Sequence, residues 1–174
     1  MIKPFVAGMV VGLCVPPLGA FLFIELGHPP VAVADPPFPY EKKLARGALH
    51  ARIGREMPGE APFAAGPGDL DAGARIYRDQ CAACHGAPGK KSSFAASMFP
   101  HAPQLFEKHR DAIGVSDDPP GETYWKVKNG IRLSGMPAYE RILSDAEMWQ
   151  VTLLLASADK LPDERAAVLR GSAP

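Results

Sequence analysis

Two cysteines three positions apart, Cys81 and Cys84, are followed immediately by His85. On a helix the two thiols lie about one turn apart, so they can reach two vinyl groups on one porphyrin edge. The next residue then lies under the ring, where its imidazole can take an axial position on the iron. Cys-x-x-Cys-His is typical of c-type haem attachment. The motif therefore predicts one haem c, bound covalently through Cys81 and Cys84, with His85 as a metal ligand.

Two other uses of paired cysteines fit the sequence less well. A structural zinc site needs a second Cys or His pair, but the remaining cysteine, Cys14, lies in an apolar N-terminal run. A thioredoxin-like dithiol needs a strand-helix-strand context, whereas the residues before Cys81 have helical spacing.

A six-coordinate iron needs a second axial ligand, and the candidates are Met98, Met136, Met148, His101 and His109. Met136 stands between Gly135, which permits close approach to a ring, and Pro137, which stiffens the loop. A thioether on a stiff loop suits an electron-transfer haem, because thioether ligation raises the potential. The sequence favours Met136 as the second metal ligand, with Met98 or a histidine as alternatives.

This ligand set argues for an electron carrier and not an enzyme, because no general acid, base or nucleophile is recognisable near it. A haem peroxidase would need an open distal site and a catalytic group there. A gas sensor would need a signalling module. The sequence favours neither the peroxidase nor the sensor. The formal net charge is zero, which gives no reason to expect a nucleic-acid partner.

Two helices must position the haem motif. Leu70, Ala74, Tyr77 and Cys81 recur at helical spacing, with Gly73 on the same side. Ser144 to Glu147 forms a capping box before the broad apolar face of the last helix. We expect the last helix to cross the helix from Leu70 to Cys81 closely at Gly73.

The segment from about Asp69 to Leu161 resembles the class I c-type cytochromes. The resemblance is carried by three features in order: a Gly/Tyr helix that ends in the haem motif, the loop from Asn129 to Pro137, and a terminal helix with Trp149. It implies an all-α fold and one-electron transfer between respiratory or dehydrogenase partners. It also implies that Cys81 and Cys84 form the thioethers and that His85 and Met136 bind iron.

The resemblance further implies a set of haem-contacting residues. The Pro103 carbonyl would accept a hydrogen bond from the His85 ring. The haem would be lined by Tyr124, Trp125 and Asn129, and Arg132 could pair with a propionate. For Trp125 a plain core position, and for Arg132 a solvated one, are the competing interpretations. The residues before Pro103, from Phe99 to Ala102, lack the glycine that the family often has there.

The N-terminal part carries a different signal. Residues 4–24 contain no charged side chain and are long enough to cross a bilayer as a helix. Lys3 before this run and Glu25 after it favour a cytoplasmic N-terminus and a haem domain in the periplasm. A single-pass anchor in the bacterial cytoplasmic membrane is favoured by length, and a signal cleaved after Ala34 remains the alternative.

Two features of this run allow a second transmembrane subunit as a partner. Gly8 and Gly12 form a small-xxx-small pair, and Pro16-Pro17 should kink or break the helix. We also expect redox proteins as electron donor and acceptor. The possible transmembrane partner motivates an alternative function, a fixed cytochrome subunit of a larger membrane oxidoreductase.

The predicted organisation has four parts. Residues 1–26 form the anchor or signal, 27–68 hold Pro-rich linkers around a basic helix at 41–57, 69–162 form the haem domain, and 163–174 form a C-terminal tail. The basic helix could lie on an anionic membrane surface, dock on a partner, or pack on the haem domain.

Overall fold

The computed structural model describes residues 2–109 and 111–171 and is mostly helical. It divides into two compact units, Met1–Lys42 and Lys43–Pro174. This agrees with the predicted all-α architecture, in which an N-terminal apolar helix precedes a cytochrome c-like domain. Among the described residues, one hairpin of two-residue strands accompanies the helices.

The N-terminal unit is dominated by helix α1, Ile2–Leu26. Its segment Lys3–Leu26 has a mean hydropathy of 2.1, and none of it is buried in the protein, so its length and composition suit a membrane span. The helix continues through Pro16 and Pro17, so the expected break does not occur. After α1, the Asp35 carboxylate accepts from the backbone N–H groups of Val31 and Ala32, at 2.9 and 2.8 Å.

The second unit contains the hairpin and the remaining helices, except for the first two residues of α2, which belong to the first unit. Helix α2 spans Glu41–Glu56, α3 spans Pro67–Gln80, α4 spans Ala82–His85, α5 spans Pro120–Asn129, α6 spans Asp145–Ala156 and α7 spans Asp163–Leu169. Strands β1 (Lys108–His109) and β2 (Ala112–Ile113) are antiparallel, with Lys108 opposite Ile113. Short 3₁₀ turns cover Ala95–Ser97 and Ala158–Lys160.

The core forms where α3 crosses α6. An added methyl at Gly73 would collide with the backbone carbonyl of Gln150 and lie 3.2 Å from the Leu154 Cβ. This is the close crossing expected from the sequence, and only glycine permits it here. Helix α6 starts at the predicted capping box, in which Ser144 Oγ accepts from the Glu147 amide and the Ser144 amide donates to the Glu147 carboxylate.

The expected C-terminal tail is a helix over most of its described length. Leu169 of α7 is 1% exposed and belongs to the core cluster. Arg165 donates to the Asp71 carboxylate on α3 at 2.8 Å. Helix α7 therefore packs against α3, while the domain boundary expected at residue 162 stays a prediction.

Helix α2 joins the haem domain through its last turns. Ile53 is 2% exposed, and the Glu56 carboxylate accepts from the Trp125 indole N–H at 3.0 Å. The chain after the helix lies close to α5, where a methyl added to Gly121 would collide with the Pro58 carbonyl. Of the three interpretations of the basic helix, these contacts support packing on the haem domain.

Candidate functional site

The proposed haem-attachment residues lie at the junction of α3 and α4. The amide of Cys81 donates to the Tyr77 carbonyl and that of His85 to the Cys81 carbonyl, at 2.8 and 2.9 Å. These bonds carry the helical hydrogen bonding across the junction, so Cys81, Cys84 and His85 lie within one turn. Both thiols are half-buried, and burial raises the pKa of Cys81 to about 12.

The predicted partner of His85 is present. The ring Nδ1 lies 2.8 Å from the Pro103 carbonyl oxygen, which can only accept, so Nδ1 carries the hydrogen. Nε2 is then left with its lone pair, which is the form that binds iron. Burial lowers the pKa of His85, opposed by the Pro103 carbonyl, and therefore favours this neutral form.

The Met136 loop is closed by its own hydrogen bonds. The Ile131 amide donates to the Met136 carbonyl at 3.2 Å. The Ser134 hydroxyl donates to the Ile131 carbonyl at 2.6 Å and accepts from the Met136 amide at 3.2 Å. Gly130 enters the loop at φ +65° with backbone atoms of the following turn close to its α-carbon. The loop is therefore ordered by its own backbone and not only by its surroundings.

The two halves of the site share one core. Met136 and Cys81 both pack against the same buried cluster. The Tyr139 hydroxyl, three residues beyond Met136, donates to the carbonyl of Gln80 at 2.8 Å. Met98, the alternative thioether, also lies here, because a methyl added to Gly135 would collide with its terminal methyl group.

Three of the predicted haem-lining residues direct their polar groups to protein partners. Tyr124 stacks on Trp149, with ring centroids 4.2 Å apart, and its hydroxyl donates to the Asp145 carboxylate. Trp125 donates to Glu56, and the Asn129 amide donates to the Trp125 carbonyl at 2.9 Å. The Tyr124 hydroxyl thus binds α6 and the Trp125 indole binds α2, whereas the Asn129 amide binds within α5.

These α5 side chains line an open pocket of about 360 Å³ together with Glu56, Pro58 and Lys128. Arg132 is exposed in the Met136 loop. Haem contact by Tyr124, Trp125, Asn129 and Arg132 stays a prediction.

Sequence reasoning missed three side chains that hold the haem motif. The buried Tyr77 hydroxyl donates to the Gly86 carbonyl at 2.8 Å. Tyr139 holds the carbonyl before Cys81. Gln104 donates to the Cys84 and Ala102 carbonyls, both at 3.1 Å. The sequence offered a signal for the two tyrosines, because Tyr77 stands one helical turn before the motif and Tyr139 stands shortly after Met136.

The donor set fits a haem c. Two thiols lie in one helical turn, one imidazole has its Nδ1 already engaged, and a thioether lies on a closed loop. Within residues 2–109 and 111–171, no cluster of three or more His, Cys, Asp or Glu side chains is arranged to hold a metal ion directly.

Comparison with known proteins agrees with this chemistry. A thiosulfate dehydrogenase of Stutzerimonas stutzeri (strain A1501) is 29% identical over 154 residues, which covers 84% of this chain and 47% of the relative. The chain thus spans about half the length of that relative. The sequence profile of a c-type cytochrome family, described as cytochrome c oxidase, cbb3-type, subunit III, matches residues 68–154. This match covers half of the chain, from the second residue of α3 to Leu154 in α6. The protein therefore belongs to that family of c-type cytochrome domains.

Proposed function

We propose that this protein carries single electrons at the periplasmic face of the bacterial cytoplasmic membrane, using one haem c attached at Cys81 and Cys84. His85 and Met136 are the proposed axial ligands. The observation that carries the proposal is the 2.8 Å contact of the His85 Nδ1 with the Pro103 carbonyl. It leaves Nε2 as the free nitrogen and fixes the ring about its own axis.

When bound, a haem supplies the one-electron couple between ferric and ferrous iron. The chain holds the ligands on both sides. The Pro103 carbonyl keeps the His85 ring oriented, and the hydrogen bonds of Ser134 hold the loop that carries Met136. A thioether ligand stabilises the ferrous state, so Met136 would raise the potential of a bound haem, and the hydrogen bonds of Pro103 and Ser134 would keep His85 and the Met136 loop in place.

Haem content and carbon monoxide binding test this function directly. The full-length protein should contain one haem per chain by the pyridine haemochrome assay. The reduced protein should bind carbon monoxide slowly or not at all, because Met136 fills the sixth position. Rapid binding by the unsubstituted protein would reveal an open axial site and contradict a carrier in favour of a peroxidase or a sensor.

The membrane position rests on α1, whose apolar side chains are exposed along its length. We propose that α1 is retained as a single-pass anchor. N-terminal sequencing of the haem-containing protein from membranes distinguishes the two possibilities. A chain that still carries residues 1–26 and needs detergent for extraction supports the anchor, whereas a soluble chain that starts after Ala34 shows a cleaved signal.

A second candidate is a fixed cytochrome subunit of a larger oxidoreductase. It is favoured by the matched family, described as an oxidase subunit, and by a dehydrogenase relative about twice as long as this chain. Native sizing after mild detergent extraction would show a complex, and a monomer would contradict it. Adding thiosulfate to the purified ferric protein tests whether this protein oxidises thiosulfate by itself, because such an enzyme would reduce its own haem.

A further inference from the structure

The side chain of Gln104 connects three separate segments around the haem motif. Its Oε1 accepts from the Ser92 amide at 2.7 Å. Its Nε2 donates to the carbonyls of Cys84 and Ala102, both at 3.1 Å. Both amide hydrogens and one oxygen lone pair are therefore used, and only a carboxamide offers donors and an acceptor in this arrangement.

Gln104 is the middle of three consecutive residues that bind the same turn. The Pro103 carbonyl lies 2.8 Å from the His85 Nδ1, and the Leu105 amide donates to the His85 carbonyl at 3.0 Å. Between them, the Gln104 side chain reaches the Cys84 carbonyl. The carbonyl that orients His85 is thus fixed on its C-terminal side by two bonds to the turn that carries His85.

The bond to the Ala102 carbonyl acts on the other side of Pro103. It spans the proline and ties the backbone before it to the residue after it. Since a proline already has a restricted φ, this bond leaves the Pro103 carbonyl little freedom to rotate away from His85. The ring hydrogen bond is therefore supported from both directions along the chain.

The close approach of Gln104 depends on Gly86. This glycine has φ +73°, and a methyl added to it would lie 2.6 Å from the Gln104 Oε1 and 2.8 Å from the Lys90 carbonyl. The residue directly after the haem motif is therefore glycine for two reasons, a left-handed backbone and the space that the carboxamide needs.

We infer that Gln104 is a positioning residue that sets the strength of the Pro103–His85 hydrogen bond, and thereby the electron donation from His85 to iron. The inference rests on the proposed role of His85 as axial ligand. A stronger bond at Nδ1 makes the imidazole more basic at Nε2, which favours ferric iron and lowers the reduction potential. Loss of the Gln104 bonds relaxes Pro103 and has the opposite effect.

The test uses the full-length holoprotein with Gln104→Glu and Gln104→Met. Gln104→Glu keeps the shape and the acceptor for Ser92 but removes both donor hydrogens, whereas Gln104→Met removes every hydrogen bond. The first measurement is the midpoint potential. The second is the iron–histidine stretching frequency by resonance Raman spectroscopy of the reduced protein, recorded in a Met136→Ala background so that His85 is the axial protein ligand.

We expect both substitutions to lower the stretching frequency and Gln104→Met to raise the potential. The carboxylate of Gln104→Glu adds a negative charge that by itself lowers the potential, so for this variant the stretching frequency is the deciding measurement. The matched control is Ser92→Ala, which removes the bond from the Ser92 hydroxyl to the Ala83 carbonyl at 2.7 Å and leaves the Gln104 bonds in place. It should leave the potential and the frequency unchanged. If Gln104→Met does not mature with haem, the stretching frequency of Gln104→Glu decides.

Two results overturn the inference. If Gln104→Glu lowers only the melting temperature and leaves the stretching frequency as in the unsubstituted protein, Gln104 is structural and does not tune His85. If Ser92→Ala shifts the frequency equally, the effect is not specific to Gln104. A holoprotein without any histidine-ligated iron would instead contradict the proposed function, and with it this inference.

Discussion

The Tyr139 hydroxyl donates to the backbone carbonyl of Gln80 at 2.8 Å. This bond joins the residue that follows the Met136 loop to the residue that precedes Cys81, across 59 positions of sequence. Burial, with smaller contributions from both cysteines, raises the pKa of Tyr139 to about 12, so the hydroxyl remains a donor throughout the physiological range. The Met136 loop and the turn that carries the haem motif are thus connected directly by a hydrogen bond within the protein.

Met136→Ala should abolish the methionine–iron charge-transfer band in the optical spectrum of the ferric protein. The reason is that alanine offers no sulfur to the iron. Met98→Ala is the matched control, since Met98 contacts Gly135 in the same loop and was the competing thioether. This control should keep the band. A band that survives Met136→Ala and disappears in Met98→Ala would reassign the ligand to Met98.

Gly73→Ala should lower the free energy of unfolding by about 1–3 kcal/mol, the usual cost of overpacking. The added methyl meets the backbone of Gln150 on α6, which cannot move without opening the crossing. Urea denaturation of the holoprotein measures the loss.

Gly54→Ala provides the opposite control on α2, because a methyl there meets nothing within 4 Å. It should raise stability by about 0.5–1 kcal/mol, through the better helix propensity of alanine. Equal effects of the two substitutions would show that α3 and α6 do not cross as closely as described.

Leu133→Asn should stabilise the protein by up to about 1 kcal/mol, because asparagine adopts a left-handed backbone more readily than leucine. Leu133 has φ 59° and its side chain is 91% exposed, so the substitution removes little packing. Ile142→Asn is the control, as Ile142 is 60% exposed and has no left-handed backbone. It should change the melting temperature very little, and a stabilisation as large as that of Leu133→Asn would exclude the backbone explanation.

Asp118→Asn should stabilise the protein at pH 7 and have no effect in acid. Partial burial, and then the nearby Glu122 carboxylate, raise the pKa of Asp118, while Lys126 and His50 act against this. A carboxyl whose pKa is raised by folding stabilises the folded state below its unfolded value, near 3.9, and loses this contribution as the pH rises through the folded value. Asparagine removes the penalty of the ionised form.

Urea denaturation of both proteins at pH 7 and below about pH 4 checks this dependence. Asp117→Asn, which removes only one of the charges that raise the pKa of Asp118, should give a smaller gain at pH 7. A gain that is independent of pH would contradict the electrostatic cause.

Local patterns in the sequence were enough to predict the elements around the haem motif. The spacing from Leu70 to Cys81 and the capping box at Ser144 each depend on neighbours in the chain, and each is found in the structure. The close helix crossing expected at Gly73 is also found there. The carbonyl of Pro103 was predicted through the family resemblance, and the structure places it beside His85.

Contacts between distant segments could not be predicted in this way. Trp125 was expected to line the haem or to take a plain core position, and the bond of its indole to Glu56, 69 positions away, was not predicted. The buried position of Leu169 depends on a face of α3 that no periodicity in α7 reveals. The bonds of Gln104 depend on where three loops meet. In each case the partner is chosen by packing of the complete domain, and a single sequence carries no signal for the pairing.

Three lysines close to the haem motif and along α5 form ion pairs that affect encounter kinetics. Lys91 pairs with Glu107 at 3.0 Å, Lys126 with Glu122 at 2.6 Å and Lys128 with Glu140 at 4.0 Å. Each pair is close to neutral at a distance, so these lysines project little field toward an approaching acidic protein. Reduction and oxidation by a physiological partner should therefore depend only weakly on ionic strength, which is the behaviour of a protein held beside its partner and not of one that must be steered to it from solution.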